Sequence, residues 1–259
     1  MRFAPLPLLS RLTAAAWWLL ANTAAADEVT PKSVARVPVL LELFTSEGCS
    51  SCPPADLALA RLLEGQPIPG VEVVALSEHV DYWNRLGWAD PYSAPLFSER
   101  QETYAPRVSA GRVYTPQVVV DGVSDLSWHD EAALRRGLAA AAVRRRGTLV
   151  LQARAEAAGK VELTLELRGV PDGGELLLAV VEDGLVSRVT AGENQGRTLP
   201  HAAVVRWLRA LGRASAGDSS HRAEVALDPA WQRGRLRLVA FVQQPGRPVQ
   251  AAGALALGR

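Results

Sequence analysis

The chain has 259 residues, 48% apolar and 21% charged, the proportions of an ordinary globular protein, which exclude a disordered or collagen-like chain. Lys and Arg number 28 against 27 Asp and Glu, with no long basic run, so there is no electrostatic footprint for nucleic-acid binding. Two cysteines are too few for a disulfide-stapled scaffold and act, if they act, as one pair.

Residues 1–26, MRFAPLPLLSRLTAAAWWLLANTAAA, place Arg2 and Arg11 before an apolar stretch from Leu12 to Ala21 and close on small residues before Asp27. That is the pattern of a cleaved secretory signal peptide, and the stretch is shorter than the ~20 residues that cross a bilayer. An uncleaved membrane anchor is the alternative. The expectation is an exported chain, periplasmic or secreted, with no membrane span after cleavage, in a compartment where disulfides persist.

Val37 opens VPVLLELF, a short branched run expected as a buried strand. After TSEG come Cys49-Ser50-Ser51-Cys52-Pro53-Pro54, then a helix in which Ala55, Leu59, Leu62 and Leu63 share a face before Gly65. VEVVALS (71–77) is a second strand. The polar and aromatic HVDYWNRLGWADPY leads to a helix over 93–105, and YTPQVVVDG (114–122) is a strand closed by an Asp-Gly turn. Ser127 and Asp130 form a capping box that opens a helix running to about Arg146.

Beyond Gly147 the helical period gives way to alternating runs separated by Gly, Pro and Asp, and residues 201–212 are taken as a strand among them. Antiparallel strands at this spacing predict a β-sandwich-like domain of about seven strands. The division is therefore a signal peptide at 1–26, an α/β domain at 37–147 and an all-β domain at 148–259.

Both cysteines sit in one Cys-x-x-Cys between a strand and a helix. A thiol at a helix N-terminus faces unpaired N–H groups and the positive end of the dipole, which favour thiolate. Cys49 is expected to be the exposed nucleophile and Cys52, one turn in, the resolving thiol in dithiol–disulfide exchange. A structural disulfide would close too short a loop to stabilise much, and half a zinc site has no second half in this sequence.

Thr115-Pro116 before QVVV adds a second element. Here the sequence resembles the thioredoxin superfamily, in which a cis-proline before a strand lies beside the cysteine pair and holds substrate backbone. More specifically, LLELFTSEGCSSCPPAD, HVDYWNRLGWADP, SERQETYA, YTPQVVVDG and GENQGRTLPHAAVVR are similar to an exported bacterial family, domain of unknown function 1223. That resemblance implies an α/β thioredoxin-like domain, a central mixed sheet flanked by helices with a helical insertion, followed by the β-rich domain. It implies no substrate and no cofactor.

Other residues are weighed on their chemistry. Glu42, inside an apolar strand, is expected as a buried base for the second cysteine, its pKa raised by desolvation. His79 and Asp81 follow the second strand at the end that carries the pair, and with Trp83, Tyr82 and Trp88 could contact substrate beside Thr115 and Pro116. Arg100, Tyr104 and the 192–197 turn carry weaker signals, and Arg144-Arg145-Arg146 is expected to be a solvated helix end. The expected partners are protein thiols or disulfides of exported proteins, with a possible redox partner at the inner membrane. The alternative is a copper-handling or metal-site maturation factor binding Cu(I) through Cys49, Cys52 and His79. A further alternative is an interaction module with a structural disulfide. Residues 148–259 are expected to be dispensable for the dithiol chemistry but needed for choosing the substrate.

Overall fold

The computed structural model describes Met1, residues 36–155 and residues 159–258; the predicted signal peptide, but for Met1, lies outside them. Strand β1 (Val37–Thr45) alternates strictly: Val39, Leu41 and Leu43 enter one core, and Leu40 enters another on the opposite side. Both faces are therefore covered, as the continuous apolar run requires. Helix α1 (Pro53–Gly65) leads to β2 (Val71–His79), which pairs parallel with β1 from Val37↔Val71 to Thr45↔His79. Helix α2 (Pro95–Val108) follows, then β3 (Gln117–Val120) antiparallel to β1, β4 (Ser124–Leu126) and α3 (Glu131–Ala142). Asp130, and not Ser127, caps α3, its carboxylate accepting from Ala133 N–H at 2.8 Å.

The rest is β: β5 (Thr148–Ala155), β6 (Lys160–Val170), β7 (Gly174–Glu182), β8 (Leu185–Arg188), β9 (Thr198–His201), β10 (Val204–Ala214), β11 (Gly217–Ala226), β12 (Leu236–Gln243) and β13 (Ala251–Ala256). Eight strands form one mixed sheet in the order β13-β12-β7-β10-β2-β1-β3-β4. Among the described residues helices are few, so the class is mixed α/β with a large central sheet. On one face, α1 and α3 cover the β1–β3 end through Leu59, Leu62 and Leu138, while the three-stranded sheet β11-β6-β5 covers the β7–β12 end through Leu163, Leu165 and Leu167. On the other face Phe97 of α2 packs with Leu76, Val181 and Phe241.

The boundary expected at residue 147 falls between α3 and β5, but the sheet does not stop there. β10 lies parallel beside β2 at Val204↔Ser77, and Ser77 N–H donates to Ala203 O at 2.8 Å. Gly147 N–H donates to Gln250 O, and a Cβ at Gly147 would stand 2.7 Å from Arg168 O. The chain is gripped at this point, and the described residues from Arg36 onward form one compact unit. The arginine run is only in part a solvated end: Arg145 is exposed, whereas the half-buried Arg146 pairs with Asp121 at 3.0 Å and donates to Pro38 O. No described helix is long and apolar enough to cross a membrane.

Candidate functional site

Cys52 is the N-cap of α1, with Pro53 and Pro54 in the first turn, where a missing N–H leaves no bond unmade. Cys49 and Cys52 form a disulfide with Cα atoms 5.4 Å apart. Both are fully buried, whereas Ser50 and Ser51 between them are exposed. The expectation that Cys49 lies open to solvent is corrected on this point, because a loop of the second half lies against it. Asn194, in the turn between β8 and β9, donates through Nδ2 to the carbonyls of Glu47 at 2.8 Å and Cys49 at 2.9 Å. Glu193 accepts from Ser50 N–H at 3.1 Å.

Around the motif, at the carboxyl ends of β1 and β2, lies a buried titratable cluster. His79 Nδ1 is 2.7 Å from Asp90 Oδ2, and the same oxygen accepts from Glu47 N–H. Glu47 faces His201 Nε2 at 3.0 Å and accepts from Trp88 Nε1–H at 2.8 Å. The two imidazoles stand edge to face with centroids 5.0 Å apart. Asp56, in the first turn of α1, completes the cluster. His79 Nε2, His201 Nδ1 and Asp56 Oδ1 have no hydrogen-bond partner within the protein.

Burial pushes the Asp56 carboxyl up to about 6, opposed in part by the two histidines. Burial alone would depress His79, but the Asp90 carboxylate and then Asp56 and Glu47 hold it above its ordinary value. Asp90 is pushed up by burial and pulled further down by His79 and two backbone N–H groups, so it ends below the usual carboxylate range.

Thr115-Pro116 is a cis peptide, and with Ser51, Tyr114 and Trp128 it lines an open cleft of about 600 Å³. Trp83 borders this region: its Nε1–H donates to Thr115 Oγ1 at 2.8 Å, and its Cβ lies 3.1 Å from where a Cβ on Gly48 would be. Ser51 of the motif, Thr115, Pro116 and Trp83 are thus brought together.

Three other expected residues are placed elsewhere. Glu42 points to the α2 side of the sheet, away from the face that α1 covers. It accepts from Arg100 Nε at 2.6 Å and from Tyr104 OH at 2.6 Å. Its neighbour Glu78 is driven up by burial and then by the Glu42 charge, against the pull of Arg100. This is an internal ion-pair network, and the strand alternation that turns Leu41 and Leu43 toward α1 turns Glu42 from it. Asp81 is engaged with Ser98 of α2, which donates to its Oδ1. His79 is sealed inside the buried cluster, not presented to a substrate. Among the described residues no group of three or more His, Cys, Asp or Glu side chains can hold a metal ion, so the Cu(I) set of Cys49, Cys52 and His79 is not assembled.

The residues that sequence reasoning missed are Glu47, Asp56, Asp90, Asn194 and His201. Asp56 carried a signal: an acid four residues after Cys52 shares its side of the helix, on a helix whose first turn must be partly covered. The GENQGR turn carried another in its glycines, but nothing in sequence says which surface it meets.

The family model of a protein of unknown function, DUF1223, matches residues 40–243. No curated relative matches the chain. Among solved structures, the crystal structure of a protein from Agrobacterium tumefaciens is similar over 86% of this chain and 96% of its own, at 24% identity and a TM-score of 0.68; this likeness shows the fold. CsgH of R. palustris (15% identity, 41% of this chain and 89% of its own, TM-score 0.18) and a β-glucosidase from Kluyveromyces marxianus (10%, 44% and 14%, TM-score 0.24) carry no argument.

Proposed function

We propose that the chain, which belongs to the DUF1223 family of proteins of unknown function, is a thiol–disulfide oxidoreductase with a thioredoxin-like core working through Cys49 and Cys52. The observation that carries this reading is the placement of the disulfide at the N-terminus of α1, with Ser51 of its loop lining the cleft of Thr115 and Pro116. A central mixed sheet with helices on both faces, a cysteine pair opening the first helix and a proline entering β3 are what the superfamily resemblance implies together. A sandwich-like arrangement in the second half is supported by the packing of the three-stranded sheet on β7 and β12.

In the direction that oxidises a partner, a partner thiolate attacks Cys49 Sγ, the Cys49–Cys52 bond breaks and Cys52 leaves with the electron pair and takes up a proton. A second partner thiolate attacks the partner's sulfur in the mixed disulfide and expels Cys49. The partner gains a disulfide, and the protein holds two electrons as a dithiol. The positive end of the α1 dipole favours sulfur anions during exchange, since Pro53 and Pro54 have no N–H and those of Ala55 and Asp56 donate to Cys52 O. Asp56, buried with a carboxyl near 6, takes the proton-handling part first assigned to Glu42. The partners would be thiols or disulfides of exported proteins.

The test is trapping in cells that express the full chain. Cys52→Ser should accumulate reductant-sensitive adducts between Cys49 and protein thiols, and Cys49→Ser should accumulate none. Equal recovery from both, or none from either, would contradict the reading.

A further inference from the structure

The backbone groups that flank Cys49 are already occupied from within. Asn194 is fully buried although it lies at the tip of a hairpin connection, the segment between β8 and β9. Its Nδ2 satisfies the carbonyls of Glu47 and Cys49, and Arg197 Nη1 fixes its Oδ1 at 3.0 Å. Beside it Glu193, itself exposed to solvent, accepts from Ser50 N–H. Gly192 (φ +72°) and Gly196 (φ +81°) bracket the turn, and a Cβ on Gly192 would come within 3.2 Å of Trp88 Cβ, so the loop lies close against the 86–88 segment. Two acceptors, on Glu47 and Cys49, and one donor, on Ser50, are thereby held by the Asn194 amide and the Glu193 carboxylate. They are the groups that an extended polypeptide would hydrogen-bond in adding itself to an exposed backbone. Both cysteines are buried under this arrangement.

We propose that the Glu193–Asn194 tip is an internal occupant of the substrate position. Cys49 then exchanges readily with thiols carried on an extended polypeptide and poorly with small free thiols. The inference rests on the exchange reading above. The physical reason is satisfaction: displacing the tip takes the Asn194 amide from the carbonyls of Glu47 and Cys49, of which the Cys49 carbonyl keeps the Cys52 N–H at 3.2 Å, and frees the exposed N–H of Ser50. A buried group left unmade, as the Glu47 carbonyl is, costs a factor of roughly ten. A polypeptide strand brings N–H and C=O groups to replace those lost, whereas a thiol without an amide brings none. Asn194 is in these terms a specificity-determining residue that never touches the reacting sulfurs.

The experiment uses the oxidised full chain and two probes, 2-mercaptoethanol and reduced unfolded ribonuclease A, with rates of reduction of the Cys49–Cys52 bond normalised to thiolate concentration. The unaltered protein should favour the polypeptide by at least about tenfold. Asn194→Ala should accelerate 2-mercaptoethanol by about tenfold or more with little change for the polypeptide. Glu193→Ala, at an exposed side chain, should move the ratio the same way by less, and it serves where Asn194→Ala does not fold. Equal ratios in all folded forms, or no preference in the unaltered protein, would overturn the proposal alone. No reaction of either probe with any form would overturn the exchange reading and the proposal with it.

Discussion

His201 Nε2 stands 3.0 Å from Glu47 Oε1, joining a residue of β9 to the loop that carries the cysteines across 154 positions of sequence. With the Asn194 bonds and the β2–β10 pairing, this contact makes the site a joint product of both halves of the chain. An account that assigns the chemistry to residues 37–147 alone leaves Glu47, with 1% of its surface exposed, without its imidazole partner.

A fragment ending at Gly147 is therefore expected to fail as an independent unit. It would bare the β2 edge to solvent, together with Leu40, Val74 and Leu76, which pack against Ala179, Val181 and Phe241, and an unpaired edge over an apolar face invites association. Circular dichroism and amide NMR of the fragment should show no cooperative melt and poor dispersion. A dispersed, monomeric spectrum would restore the expectation of two separable domains.

Asp56→Asn should stabilise the protein at neutral pH. The folded carboxyl lies near 6 against its ordinary value of 3.8, so the folded state binds the proton more tightly and stability falls as pH rises from 3.8 to about 6. A shift of this size corresponds to roughly 3 kcal/mol, an upper bound because other groups respond. Urea unfolding of both proteins between pH 3.5 and pH 8 should show curves that separate through this window in favour of the variant. The same substitution should slow exchange at Cys52. Parallel stability curves would show that the carboxyl is not held neutral by the fold.

In the His79–Asp90 pair, His79 carries the same sign as Asp56 and Asp90 the opposite one. His79 is raised above 6.5 in the fold, so its contribution is complete below pH 6.5 and fades as pH rises through its folded value. Asp90 is lowered below 3.8, so its contribution is present above pH 3.8 and is lost as pH falls through its folded value. The pair thus supports the fold most fully between pH 3.8 and 6.5. Asp90→Asn should cost about 3–5 kcal/mol in that window, because it strands a buried imidazolium. It should also lower the His79 pKa measured by NMR; an unchanged titration would mean that Asp90 does not set it.

Much of this was legible in the residues. The buried strand β1, the helix after the prolines and the cysteine pair opening α1 follow from apolar runs, breakers and caps, which are local, whereas 201–212 fits both periods and reads as strand only from its neighbours. What escaped is non-local. Glu42 resembles a buried base until the parity of β1 turns it toward Arg100 on α2. His201 and Asn194 acquire meaning only when β10 docks on β2 and swings the β8–β9 turn over the motif. No period in sequence encodes that docking. Arg146 likewise reads as surface because its partner, Asp121, sits in a turn 25 residues away.

Glu42→Gln tests the reassignment of that residue. It removes one partner of a buried ion pair and should cost about 3 kcal/mol, the low end of the range for a broken buried pair, because Arg100 keeps the Glu78 carboxyl at 3.4 Å. The rate at which the folded variant exchanges with a dithiol should stay within about twofold of the parent, a change below the energy of one hydrogen bond. A loss of exchange beyond tenfold in folded protein would return Glu42 to the catalytic set.

The central claim is that the Cys49–Cys52 bond turns over. Equilibration of the full chain in graded thiol–disulfide buffers, read by mass spectrometry of alkylated thiols, measures its reduction potential. The account predicts a value above about −300 mV, within the range of exchange-active pairs. A potential below about −300 mV, where structural disulfides lie, would contradict it and leave the pair a fixed staple.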